Sequence, residues 1–502
     1  MKKYFLVYLI LSFVSSLSFA QKPLDRQIQI GLDKIYNFNW ADGLKIFNTI
    51  IDKNPDDPRG YHFKSTIYLW YYLGNLNEAY LDTFNLLADK AIDLSEKFPD
   101  KKSTAEHYYL LGSIYYNKSI AEARSGNFLQ ALWTSNQMKQ NLDEAIKIKP
   151  TFYDAYLGIG LYNFALSQIP SSLEWAANLV GITADKEAGL QSVKLASQKG
   201  KISKVDAQFY LSQLYSRVIV DHPAARDLLI NLIRRYPKNL LFNFSLAWVN
   251  YEMNDLTNTE KYLKPVFTSK DTLFPFIISN SYYVLGNVLF AKNFYDSAAV
   301  CYNLFLEKAI NDDYKGISNL KIGLCYELGG KRKDAIKFYE KASEGNSDIE
   351  EDLFSERRMK FHLDKKLSPI DVSLIRYSNL IKQGRYASTK DSLKILLKEK
   401  DLNDEEMAVA YMYLSEICYY QKSFKESLEY AVTSLKIDVG DEKWIHAFAH
   451  YYAAWASYQL KNFIDARLFL LQIEEMDEFD FANSMLNKVY SLKRLLPAES
   501  KK

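Results

Sequence analysis

The sequence predicts an all-α chain: a right-handed superhelical α-solenoid of about ten or eleven helix pairs. Three observations carry this. The 502 residues include only 19 Gly and 12 Pro, about half the roughly 12 % share usual in soluble chains. A sandwich, barrel or propeller needs a turn about every ten residues, so those classes are excluded. Hydrophobic and charged residues, at 48 and 25 %, exclude disordered and fibrous chains. Finally, one pattern of apolar and small residues recurs with an offset of 37 residues.

The first stretch is read as a leader rather than as part of the fold. MKKYFLVYLILSFVSSLSFA places Lys2 and Lys3 before an apolar run from Tyr4 to Val14 and ends Ser18-Phe19-Ala20. That order is the one of a secretory signal peptide cleaved after Ala20. The apolar run is too short to span a bilayer, which takes about 20 residues. The first cysteine is Cys301, so no lipid-anchoring cysteine follows the run. The expectation is an exported protein, periplasmic or dissolved in the cell envelope, or secreted. Without Lys2 and Lys3 the chain has 61 basic and 61 acidic side chains, unlike the strong basic excess of a nucleic-acid binder. Cys301, Cys325 and Cys418 lie in apolar helical runs. Buried free thiols are expected there, with a Cys301–Cys325 disulfide as the other reading.

The register is clearest in SYYVLGNVLFAKNFYDSAAVCYNLFLEKA (281–309) and NLKIGLCYELGGKRKDAIKFYEKA (319–342). Leu285-Gly286 aligns with Ile322-Gly323, Ala298 with Ala335, and Tyr302 with Tyr339. A third copy, 410–435, puts Leu414-Ser415, Ser427 and Ala431 in the same roles. Glycine and alanine at these offsets let the two helices of a pair cross closely, and the tyrosine fills the gap toward the next pair. Weaker copies occupy 27–55, 58–99 (with a longer second helix), 107–150, 154–199, 206–237, 240–267, 372–398 and 444–473. Together they fill nearly all of 24–490 and leave no room for a separate catalytic domain. The expected organisation is a block over 21–346, a charged helical connection over 347–369, and a second block over 370–495.

This register resembles the tetratricopeptide repeat (TPR), whose nominal period is 34 residues. Residues 166–200 interrupt one copy with a Pro-broken insertion. The run IPSSLEWAANLVGITADKEAGL within it resembles the inclusion-body clearance proteins, the tetratricopeptide-repeat 39 type, with Ile182 where that family favours Phe. The resemblance implies a distant relationship, and no function is carried over from it.

No catalytic pattern holds. H-E-x-x-H, G-x-S-x-G and the phosphate-cradling G-x-x-x-x-G-K-[ST] are absent from the sequence. Gly329-Gly330-Lys331 falls in an expected turn between two helices, and Ser318 with Lys321 has S-x-x-K spacing of a kind common by chance. His446 and His450 share one helix face but lack a third metal ligand at suitable spacing, so they are read as packing residues. Runs such as Glu350-Glu351-Asp352 are read as solvated helix faces. The chain is therefore expected to be non-catalytic and to need no cofactor or metal.

Stacked helix pairs expose their first helices on a concave face. Tetratricopeptide-repeat ligand positions, mapped by the resemblance, are Tyr109, Ser113 and Tyr116; Tyr283, Asn287 and Phe290; and Met412, Glu416 and Tyr419. Asn287 matches the asparagine that grips a peptide backbone or terminal carboxylate in clamp-type members, while Tyr283 replaces their lysine. Each aromatic here has two readings, groove surface or inter-repeat packing. The expected function is an exported scaffold binding a protein or peptide partner in an aromatic groove. It would bind no nucleic acid and keep no transmembrane anchor after cleavage. The alternatives are a receptor for a glycan or small ligand, and an enzyme with an unrecognised site.

Overall fold

The structure, a computed structural model, describes residues 24–97, 104–166 and 185–497. The leader 1–20 and the centre of the 166–200 insertion lie outside the described residues. Every regular element among the described residues is a helix. The helices follow the expected copies in pairs. In order they are a helix over 24–36 (α1) with Trp40–Lys53 (α2), Pro58–Asn75 (α3) with Glu78–Glu96 (α4), Ala105–Arg124 (α5) with Phe128–Ile148 (α6), and Ala155–Leu166 (α7) with Lys186–Lys199 (α8). Next come Lys204–Arg217 (α9) with His222–Arg235 (α10), Leu240–Glu252 (α11) with Leu256–Thr268 (α12), Pro275–Ala291 (α13) with Tyr295–Lys308 (α14), and Lys315–Leu328 (α15) with Arg332–Tyr339 (α16). Glu350–Asp364 (α17) stands alone. The last are Pro369–Lys382 (α18) with Tyr386–Leu396 (α19), Asp404–Tyr420 (α20) with Phe424–Ser434 (α21), Trp444–Gln459 (α22) with Phe463–Glu474 (α23), and Ala482–Leu495 (α24).

Two compact units result. The first comprises 1–212, 227–243 and 271–274, and the second 213–226, 244–270 and 275–502. Helix starts are written in the local sequence. Asp57 accepts from the Arg59 N–H with Pro58 in the first turn of α3, and Thr104 caps α5. Ser368 with Asp371, and Asn403 with Glu406, form capping boxes at α18 and α20. Each pairing satisfies amide donors that a helix start leaves orphaned. The turns inside pairs are equally economical. One left-handed residue suffices in each of several: Phe38, Asn254, Asn293, Gly330, Lys422 and Lys461. Few of these are glycine, which is how the chain turns so often with so little of it.

The recurring register is a packing device. A methyl group on Gly323 would lie 2.4 Å from the Tyr339 ring, and one on Gly286 2.7 Å from Tyr302. Each ring therefore fills the space above the glycine of its own pair. Tyr339 also reaches onward, stacking on His362 of α17 with centroids 5.0 Å apart. Hydrogen bonds hold both rings: Tyr302 Oη donates to Asn287 Oδ1 and Tyr339 Oη to Glu327 Oε2, each at 2.7 Å. In α20 and α21 the small pair is Ser415 and Ser427, and each hydroxyl donates to the other's carbonyl, at 2.8 and 2.9 Å. Gly323→Ala is therefore expected to lower stability by about 1–3 kcal/mol through overpacking. That outweighs the roughly 1 kcal/mol alanine gains in a helix. Urea denaturation checks it, and an unchanged midpoint would mean that Tyr339 can yield.

The charged stretch forms α17, which packs on α15 and α16 within the second unit. Its Asp352 accepts from the backbone N–H of Ile317 at 2.9 Å and of Asn346 at 3.0 Å, and Ser355 Oγ donates to Ala342 O at 2.7 Å. Arg357 forms a two-point pair with Glu442, at 2.6 and 2.9 Å, and also bonds Asp480. Arg358 Nη1 reaches the same Glu442 at 2.8 Å. The three cysteines are buried free thiols, and burial pushes Cys301 up to about 11 and Cys325 to about 12.

Candidate functional site

In the first unit the first helices α1, α3, α5 and α9, with α7, surround a cavity of about 90 Å³. The cavity is lined by Tyr36, His62, Thr66, Trp70, Asn117 and Asp206 among others. Tyr109, Ser113 and Tyr116, picked out in α5 from the sequence, line it too. Their offsets of four and three place them on one helix face. Asp154 organises the floor. Its Oδ1 accepts from the backbone N–H groups of Lys201, Ile202 and Ser203 at 2.7–2.9 Å and from Ser203 Oγ at 2.9 Å. This fixes the start of α9 and so positions Asp206 one turn later. Tyr36 Oη donates to Asp206 Oδ2 at 2.6 Å. The Tyr36 carbonyl in turn accepts from Asn239 Nδ2 at 2.7 Å.

Burial pushes Asp206 up to about 6 although the Tyr36 hydroxyl pulls the other way. Burial also drives Tyr36, Tyr109 and Tyr116 well above the ordinary phenol value and holds His62 down to about 4, so that imidazole is neutral.

The second unit treats its picked residues differently. Tyr283, Phe290 and Met412 are closed off, at 4, 5 and 2 % exposure. Tyr283 stacks between Tyr314, at 4.8 Å, and Trp248, at 6.4 Å. Phe290 carries the Lys321 ammonium 4.3 Å above its ring, and Met412 belongs to a core with Leu414, Ile417 and Ile445. Asn287 is taken up by the Tyr302 hydroxyl. For these residues packing is the role on view, because other helices supply partners that the sequence of one helix does not show. Glu416 and Tyr419 are half-buried. Burial raises the Glu416 carboxyl, and Tyr419 packs on Tyr452 and Trp455.

Two lysines near them escaped the sequence reading. Lys382 Nζ lies 4.1 Å from the Tyr251 ring centre, and Lys488 Nζ lies 4.9 Å from Phe448 and 5.7 Å from Tyr451. Burial lowers both ammonium groups, which feel Glu252 and Glu416 through space. Among the described residues neither has a carboxylate at ion-pair distance. Lys382 ends the first helix of a weak copy and Lys488 lies in α24, beyond the last recognised one, so the register could not flag them.

His446 Nε2 lies 2.9 Å from the Ile437 carbonyl, and His450 packs on Phe469. Among the described residues no group of three or more His, Cys, Asp or Glu is placed to hold a metal. No helix among them is long and apolar enough to cross a membrane.

Paired helices closing over glycine or serine, with a tyrosine in the gap of two of the pairs, make a helical repeat fold. Residues 318–344 match the tetratricopeptide repeat, and residues 116–309 match the family Iml2/Tetratricopeptide repeat protein 39. Among solved structures the chain is similar to the TPR domain of P58(IPK), at 13 % identity over 95 % of this chain and 99 % of that one, with a TM-score of 0.23. It is also similar to yeast Tom70, at 12 % identity over 96 and 98 % with a TM-score of 0.27. The Cut9–Hcn1 hetero-tetramer of APC/C gives 12 %, 94 and 96 %, and 0.28. No curated protein matches the sequence.

Proposed function

We propose that the chain is an exported, non-catalytic scaffold that holds a protein or peptide segment against its first-helix faces. The observation that carries this is the face of the second unit, where Lys382 and Lys488 sit among aromatic rings without an ion-pair partner among the described residues. A desolvated ammonium is costly unless something pairs with it. A partner segment carrying a carboxylate would supply that pair, while Tyr419 and Tyr451 would give it contact area at low rotamer cost. Glu416 and Tyr419 would line this surface in the second unit. Tyr109, Ser113 and Tyr116 face the interior of the first.

The test is recovery of a stoichiometric partner from cell-envelope extract, compared between the native chain and Lys382→Ala with Tyr419→Ala. The double variant is expected to lose the partner while its thermal midpoint moves little. Full retention of binding would remove the assignment. Export has its own readout: the purified native protein is expected to begin at Gln21, and a chain still starting at Met1 in the cytosolic fraction would contradict it.

A further inference from the structure

We propose that the cavity of the first unit is a binding site for a small organic cation, an alkylammonium group, seated on the Asp206 carboxylate among the rings of Tyr36, Trp70, Tyr109 and Tyr116. The charge count comes first. Two carboxylates line the cavity, Asp154 and Asp206, and no lysine or arginine does. Asp154 already accepts from three backbone N–H groups and a serine hydroxyl, all on Oδ1. Asp206 has the Tyr36 hydroxyl on one oxygen and no ion-pair partner among the described residues. A desolvated carboxylate carries a cost that a paired cation would offset.

The walls fit a cation better than a neutral guest. Aromatic faces attract an ammonium through their quadrupoles, and aromatic cages are a recurrent means of recognising alkylated ammonium groups. His62, 5 % exposed, lines the same space with Nδ1 buried and unpartnered. Being neutral, its imidazole can accept a hydrogen bond from an ammonium N–H without repelling it. Thr66 Oγ1 already accepts from Asn117 Nδ2 at 3.0 Å, which leaves the Asn117 carbonyl oxygen as a further acceptor. The volume of about 90 Å³ is room for several water molecules, or for a guest of about five heavy atoms. This site is separate from the partner surface proposed for the second unit, and either can fail without the other.

The groups titrating around Asp206 set the pH response. Tyr36 from α1, Tyr109 and Tyr116 from α5, Tyr210 from α9 and Tyr236 just after α10 all sense its charge, and all have raised values that keep them neutral below pH 8. His62 and Asp154 share the cavity wall. Asp206, pushed up to about 6, titrates between pH 5 and 7.

The experiment is calorimetric titration of the full chain at pH 7.5 with n-butylammonium, tetramethylammonium and n-butanol, each of five heavy atoms. Saturable one-to-one binding of at least one cation is expected, with n-butanol at least tenfold weaker. Affinity should fall about tenfold per pH unit below pH 6. Asp206→Asn should abolish cation binding and keep the Tyr36 hydrogen bond. Equal binding of n-butanol would make the cavity a neutral-ligand site and overturn the proposal, as would pH-independent affinity or no saturable binding. If Asp206→Asn fails to fold, the native chain's preference for butylammonium over butanol decides the matter alone.

Discussion

Asp206→Asn is expected to stabilise the folded chain at neutral pH, by about 3 kcal/mol at most. Burial raises the carboxyl from 3.8 to about 6. A raised carboxyl keeps its proton in the folded state after the unfolded chain has released it. Stability is then greatest below pH 4 and declines as pH rises through 6. Asparagine carries no charge, can still accept from Tyr36, and so avoids that decline. Urea denaturation at pH 7.5 and pH 4 checks the sign. The variant should gain at pH 7.5 and match the native chain near pH 4. A loss at both would make Asp206 a structural acceptor rather than a retained, costly charge. Stability gained where a binding group is removed is the usual trade at a functional site.

Acid should loosen the second unit through Glu442. Its side chain is 8 % exposed. Burial alone would raise its pKa. The Arg357 hydrogen bonds, the Arg358 charge and the Trp444 indole N–H more than reverse this and hold it at about 2, against 4.5 for an ordinary glutamate. Here the sign is opposite. The stabilisation is complete above pH 4.5 and is lost as pH falls toward 2, for about 3 kcal/mol in all. Glu442→Gln should remove most of this at pH 7 and flatten the pH dependence between 4.5 and 2. A native chain whose stability stays level over that interval would show that the cluster contributes little. The cluster ties α17 to the loop before α22, so amide exchange in α17 should quicken in the variant.

The helix pairs were legible because their signals are local. Leu-Gly, alanine and tyrosine at fixed offsets, a capping residue before the apolar run and one turn residue between helices all lie within about 40 residues. Gly329-Gly330-Lys331 is, as read, a turn between two repeat helices, with Gly330 at φ 76°. Tyr109, Ser113 and Tyr116 were legible as one face of a helix, and that face does line a cavity. Tyr283 and Phe290 have the same offsets, yet Tyr314, Trp248 and Lys321 close over them. The two cases differ in what the adjoining helix contributes, and helix periodicity is blind to that.

By itself, then, the sequence determined the helical class, the pairing of helices and the small-residue crossing at which each pair closes. These follow from sterics between residues a few turns apart. Only the tertiary structure decided which charges would be left without partners. Asp206 meets Tyr36 across 170 residues, and Lys382 meets Tyr251 on a helix remote in sequence. Desolvation depends on everything packed around a group, so a buried charge becomes recognisable only when distant helices close over it. The aromatic surplus divides in the same way. Tyr302 and Tyr339 fill crossings that the repeat demands, while Tyr36, Tyr109 and Tyr116 become the walls of a cavity that exists only once the first helices of the first unit are brought together.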